Sequence, residues 1–377
     1  MAIVLFEDSQ WHHFMPLVYT RPVGDLRCGI LTQSERWSMI MKDAVHHETR
    51  EYLRELFPPA TNSNYQINAR LLPAENIIAA IQELGNDETL TTQDIVLARR
   101  GNGQHIKSFQ GEVKMLGTPP DIFSNSDTCT RFDFAMLTNG KVSGAVHESV
   151  TIIGDTSQLF LEEGAVVTAS IINTQSGPVY LGKDSEVMEG CMIRGPFSLG
   201  EHAQLKMGTK IYGSTNVGPH CKVGGEVSNS VFWGYSNKAH DGFVGNSVLG
   251  QWCNLGADTN TSNLKNNYGK VKTWSVLQEQ YIDTGLTFCG LLMGDHSKCG
   301  INTMFNTGTV TGVCANIFGG GFPEKWIPSF SWGGPQGIVK YRLEEALETA
   351  AAVMGRRNLP LTEADRSLLT HLHLNAR

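Results

Sequence analysis

The densest polar cluster in this 377-residue chain runs Asn237-Lys238-Ala239-His240-Asp241-Gly242 and resumes over residues 254–273. The second stretch contains Asn254, Ala257, Asn263, Lys270 and Lys272. Histidine exchanges a proton near neutral pH, asparagine amides both donate and accept hydrogen bonds, and lysine supplies a point charge. Such a set suits proton transfer on a polar substrate. The same residue types also serve turns for backbone reasons. Asn260, Asn266 and Asn267 are equally well turn residues, and Lys270 and Lys272 equally well surface charges.

These residues must be positioned by something, and the flanking sequence names it. Leu181, Val187, Ile193, Leu199, Leu205, Ile211, Val217 and Val223 stand in unbroken steps of six. Small side chains follow four places after most of them, as at Ser185, Cys191, Ala203, Thr209, Thr215 and Cys221, with Phe197 and Val227 the exceptions. Gly182, Gly200 and Gly218 recur at three times that period. A period of six fits neither an amphipathic helix nor an alternating strand. It fits a triangular coil of three short strands and three turns, with the aliphatic residue pointing inward. The rhythm returns at Leu249-Gly250 and Leu255-Gly256, then at Met293, Cys299, Phe305 and Ile317. It slips over residues 260–280, which predicts a loop projecting from a corner. The expected fold is therefore a left-handed β-helix of hexapeptide repeats over about 150–322.

Composition bounds the rest. Charged residues are 18% of the chain and the net charge is −7 without a basic run, so nucleic acid is not an expected partner. Eight cysteines form no CxxC pair, and Cys191 and Cys221 read as small buried fillers, so neither disulfide nor metal site is expected. Residues 1–6 are too short an apolar run for a signal peptide, and no run of 18 apolar residues follows. A soluble, cytoplasmic protein without membrane contact is expected.

The flanks predict an α/β unit over 1–145, the solenoid over 146–330 and helices over 331–377. Residues 3–6 and 94–98 read as strands, and 44–56 and 75–84 as helices, the first stopped by Pro58-Pro59. Leu343, Leu347, Ala350 and Met354 lie on one face of a helix over 341–357. Thr362 opens a last helix with Asp365 in a capping box. The helical pair is expected to cap the solenoid or to make an oligomer contact.

The polar cluster resembles the acyltransferase half of the bifunctional N-acetylglucosamine-1-phosphate uridylyltransferase / glucosamine-1-phosphate N-acetyltransferase family. The matches are Lys238-Ala239-His240, Val244-Gly245, Asn254-Leu255-Gly256-Ala257, Thr259, Asn263 and Lys270-Val271-Lys272-Thr273, closely over 225–275. The whole chain is similar to a shorter, sugar-nucleotidyltransferase-like variant group, with Leu5-Phe6-Glu7-Asp8, Thr20-Arg21-Pro22 and Leu26-Arg27-Cys28-Gly29. The resemblance implies that His240 is the general base toward an amino-sugar amine, work to which an imidazole is suited near neutral pH. It implies that Asn254 and Asn263 bind the sugar, that Lys270 meets the phosphate, and that Ala257 lines the acyl-CoA path. Acetyl-CoA is then a cosubstrate, a sugar phosphate or nucleotide-sugar the acceptor, and a homotrimer the active form. The acyltransferase half needs no metal. Two departures stand out. Phe243 replaces a family tyrosine, and of the family's basic pair only Lys210 has a counterpart, with Ser228 or Asn229 at the other position.

The first domain departs further. A nucleotidyltransferase of this family opens on a strand and a glycine-rich phosphate loop, but here Glu7-Asp8-Ser9-Gln10 follows the strand. The resemblance leaves Arg21, Arg27 and Asn68 as nucleotide- or phosphate-binding residues, with Mg2+ needed only for that activity. Arg21 and Arg27 are equally well salt-bridge partners. Three functions remain open: acyl transfer, sugar-1-phosphate nucleotidyl transfer, and a solenoid that serves assembly alone.

Overall fold

The computed structural model describes residues 2–60 and 62–376. Strands β1 (Ala2–Phe6), β2 (Val45–Glu48), β3 (Ser63–Asn68), β4 (Glu88–Thr92), β5 (Ile95–Arg100) and β6 (His105–Ser108) form one sheet in the order β2-β1-β3-β5-β4-β6. The β1 pairings with β2 and β3 are parallel. Helices α1 (Gln33–Met41), α2 (Glu75–Gln82), α3 (Pro120–Ser124) and α4 (Ser126–Thr138) complete the domain.

The helix expected over 44–56 is not there. Its place holds β2 and a single 3-10 turn, Glu51–Leu53. The helix lies upstream as α1, because Thr32 and Glu35 form a reciprocal capping box at its start. Residues 45–48 are drawn into β2 by hydrogen bonding to β1, a tertiary effect that overrides local spacing.

The left-handed β-helix has three faces. Its open face carries six strands, from Thr151–Ile153 to Phe243–Gly245. Nine strands form the docked face, from Leu159–Leu161 to Trp326–Ile327. Ten form the groove face, from Val166–Val167 to Ser331–Gly334 with Gly337–Lys340 added antiparallel. Leu181, Leu199 and Val217 pair directly, so each coil there takes 18 residues. The coil then shortens: Val217 pairs with Phe232 and Val223 with Lys238, each 15 residues on. That shortening is why the count of six fails after Val223. The slip over 260–280 is an insertion that ends in the antiparallel hairpin Lys272–Ser275 and Gln280–Asp283.

Burial distinguishes the faces. Open-face strands alternate exposed and buried residues, whereas Val179–Leu181, Phe197–Leu199 and Thr215–Val217 on the docked face are buried throughout. The first domain covers that outer surface. Trp233 is buried there, its indole N–H donating to the Arg27 carbonyl at 3.2 Å. The Asn216 amide donates to Thr130 of α4 at 2.9 Å and to Ser198 at 2.7 Å.

Helix α5 (Leu343–Gly355) borders the groove face, and α6 (Glu363–Asn375) carries the Thr362–Asp365 capping box. His371 of α6 stacks on Tyr52 of the first domain at 4.5 Å. The terminal helices therefore tie solenoid to first domain. No helix among the described residues is long and apolar enough to cross a membrane.

Candidate active site

His240 sits in the turn between the groove-face strand Asn237–Lys238 and the open-face strand Phe243–Gly245. The turn is built on an ionisable residue in the core. Lys238 occupies an inward position beside Val223 and is 2% exposed. Its ammonium donates to the carbonyl oxygens of His240 and, at 3.0 Å, of Asp241. Burial pushes its pKa down to about 8, against the pull of Asp241 and Asp258. The coil beneath supplies glycines. Gly225 has φ +72°, and a Cβ there would lie 2.9 Å from the His240 carbonyl oxygen.

The His240 imidazole is exposed and has no hydrogen-bond partner among the described residues. It lines a groove of about 690 Å3 together with Asn254, Ala257 and the α5 residues Thr349 and Val353. Asn254 is the outward residue next to Asn237 on the groove face.

Other expected site residues lie elsewhere in the chain. The Asn263 amide donates to Asn246 Oδ1 at 2.8 Å, at the corner between open and docked faces. Lys270 is exposed in the insertion, 3.4 Å from Thr287 Oγ1. Lys210 is exposed on the open face, where Glu226 separates it from Phe243. One chain thus holds two groups of candidate residues: His240, Asn254 and Ala257 on the groove side, and Lys210, Asn263 and Lys270 on the open side or its corner. Asn260 and Asn267 have backbone duties, accepting from the Phe243 and Gly269 amides.

In the first domain, Arg21 is buried between Asp25 at 2.7 Å and Asp295 at 2.5 Å and lies over the Trp233 ring. Arg27 donates to the Ile30 carbonyl and pairs with Glu35 at 3.3 Å. The Asn68 amide donates to Asp8 and to the Val96 carbonyl, both at 3.0 Å. All three side chains are engaged by the protein itself. Where a phosphate loop would open after β1, Glu7 accepts from Val23 N at 2.8 Å, Thr49 at 2.5 Å and Arg50 at 3.2 Å. Asp8 accepts from Arg70 at 2.6 Å. Burial raises the Asp8 pKa, but the Arg70 and Asn68 hydrogen bonds outweigh it and leave the carboxyl below its ordinary value. Neither carboxylate is open to hold Mg2+, so the residues do not fit that ion.

Residues 3–142 match the family model described as sugar nucleotidyl transferase. The match spans nearly the whole first domain and stops before the solenoid. The chain therefore joins a sugar nucleotidyl transferase-type domain to a hexapeptide solenoid, the combination found in the bifunctional family it resembles. No curated protein matches the chain. Among solved structures, the polySia-specific acetyltransferase NeuO aligns at 12% identity and TM-score 0.31, over 56% of this chain and 100% of its own. UDP-N-acetylglucosamine acyltransferase from Campylobacter jejuni aligns at 12% identity and TM-score 0.28, over 62% and 97%. Perosamine N-acetyltransferase from Caulobacter crescentus, solved with CoA and GDP-perosamine, aligns at 11% identity and TM-score 0.14, over 85% and 94%. All three superpose loosely.

Lys238 stands within the sequence motif, which assigns its side chain no task. Its signal was available: a lysine at an inward position of an otherwise apolar column, visible once the coil is known to shorten.

Proposed function

We propose that this protein transfers an acyl group from a CoA thioester to the amine of a phosphorylated or nucleotide-linked amino sugar. The observation that carries this reading is the free His240 imidazole in the groove that also holds Asn254 and Ala257. Neutral His240 takes a proton from the substrate amine as nitrogen attacks the thioester carbonyl. The tetrahedral intermediate collapses by breaking the carbon–sulfur bond, and the CoA thiolate leaves and is then protonated. Asn254 orients the acceptor, and the small Ala257 side chain leaves room for the acyl group. The active form is a homotrimer. A second chain would bring Lys210, Asn263 and Lys270 toward the His240 groove, and the partly exposed Ile153, Ile171, Met192 and Tyr212 on the open face support such packing.

The chemistry is tested by incubating acetyl-CoA with glucosamine 1-phosphate and with nucleotide-linked amino sugars while following thiol release. Wild type is expected to turn over one acceptor class and His240→Ala to lose that turnover. Equal rates in the two proteins would overturn the role of His240. Nucleotidyl transfer is the weaker reading, because Arg50 and Arg70 already occupy the carboxylates at the mouth of β1.

A further inference from the structure

The His240 groove also holds a cationic cluster that its acyl chemistry leaves without a role. Arg356 and Arg357 follow α5, and Lys222 points outward from the groove face beside Asn237. Neighbouring strands lie about 4.8 Å apart, so Lys222 and Asn237 are adjacent rungs. Arg357 reaches across to this pair, donating to the His220 carbonyl at 3.2 Å and to Asn237 Oδ1 at 3.4 Å. His220 precedes the groove-face strand and His240 follows one, so cluster and imidazole occupy opposite edges of the same face.

No carboxylate pairs with Lys222, Arg356 or Arg357 among the described residues. Glu201, an acid that acts on His220, lies 3.6 Å from the ring of His202. Burial and then Arg357, Lys206 and Arg356 push the Lys222 pKa down, with no acid opposing. The end of a helix favours cations, which accounts for the arginines but not for a lysine held against them. In a chain of net charge −7, uncompensated cations converging on a groove form a site for an anion. His220, Tyr235 and Trp252 stack in series along the same edge, at 4.7 and 4.1 Å, and so cover one another's ring faces.

We propose that Lys222, Arg356 and Arg357 bind the phosphate groups of a nucleotide-bearing substrate at the edge of the groove opposite His240. The site rests on the acyl-transfer reading only for which substrate supplies the nucleotide. CoA carries a 3′-phosphorylated adenosine diphosphate, and a nucleotide-linked acceptor carries a nucleoside diphosphate.

Calorimetric titration of the full chain distinguishes the two sources, using CoA, dephospho-CoA and uridine diphosphate as probes. Binding of CoA well above dephospho-CoA assigns the site to the donor, and preferential binding of uridine diphosphate assigns it to the acceptor. In either case Lys222→Gln and the double variant Arg356→Gln/Arg357→Gln are each expected to weaken the bound probe at least tenfold. His240→Ala is expected to leave that affinity intact, and probe binding by a wild type that transfers no acyl group would sink the catalytic reading alone. Absence of binding by every probe, or equal affinity in wild type and the folded variants, would overturn the anion site.

Discussion

The ammonium of Lys238 donates to the main-chain carbonyl of His240, two residues along the chain. A core lysine therefore sets the height of the turn that carries the proposed base. The aliphatic column it interrupts has Val223 on one side and Leu255 two coils further on.

Lys238→Met keeps the volume but removes both donors. Turnover is expected to fall about 10-fold to 100-fold with little change in KM, because the imidazole loses its position while substrate contacts persist. The carbonyls left without a partner cost about 1–3 kcal/mol, partly offset by the apolar fit. Since the folded pKa of about 8 lies below the ordinary 10.5, the unfolded chain binds more protons between those values. Wild type should therefore gain stability relative to Lys238→Met as pH rises from 8 to 10.5. Denaturation midpoints across that range, read beside kcat and KM, check both halves.

His240→Ala removes the base outright, and loss of a positioned general base is worth about 10²–10⁴ in rate. His240→Ala should fold with an unchanged melting midpoint, since the side chain is exposed and has no partner among the described residues. A shifted midpoint would place His240 in the scaffold instead.

Gly225→Ala tests the bed of that turn. A Cβ at φ +72°, 2.9 Å from the His240 carbonyl oxygen, should cost about 1–3 kcal/mol and lower turnover by moving the loop. Urea titration and the rate assay give the two numbers. Unchanged stability would mean that the turn yields freely.

Asp295 joins solenoid to first domain by accepting from Thr20 at 2.7 Å, Arg21 at 2.5 Å and the Gln251 amide at 2.8 Å. Asp295→Ala leaves Arg21 with Asp25 alone and should destabilise the junction by about 3–5 kcal/mol. Limited proteolysis is expected to release the first domain sooner in this variant. Identical cleavage kinetics would show that the apolar interface holds the junction unaided.

Acid should weaken the fold in a defined window. Burial pushes His47 and His296 down to about 4, with His46 adding to the first and Lys298 to the second. Both stay neutral in the folded chain while their unfolded counterparts protonate near 6.5. Their contribution is complete above pH 6.5 and is lost as pH falls toward 4. Asp25, raised by burial despite Arg21, acts with the opposite sign above its ordinary 3.8. Denaturation midpoints at pH 7, 6 and 5 should decline in order, and a flat series would contradict the two histidines.

The sequence by itself determined the solenoid, because a coil with three equal faces forces an inward aliphatic residue at every sixth position from Leu181 to Val223. It also determined where the regular pattern ends, and the family resemblance of that stretch singled out His240, Asn254, Ala257, Asn263 and Lys270. The capping box of Thr32 and Glu35 is equally local, its two partners standing three residues apart. Tertiary structure alone decided the rest. Residues 45–48 became strand because β1 offered an edge, and no periodicity within them records that partner. Arg21 and Asp295 are 274 positions apart, so no motif reveals that the arginine is spent on an ion pair rather than a phosphate. Lys238 looks like a surface residue until the 15-residue coil turns it inward. Whether the His240 groove meets Arg356 and Arg357 depended on where a C-terminal helix docks, and that is set by packing among three separate parts of the chain.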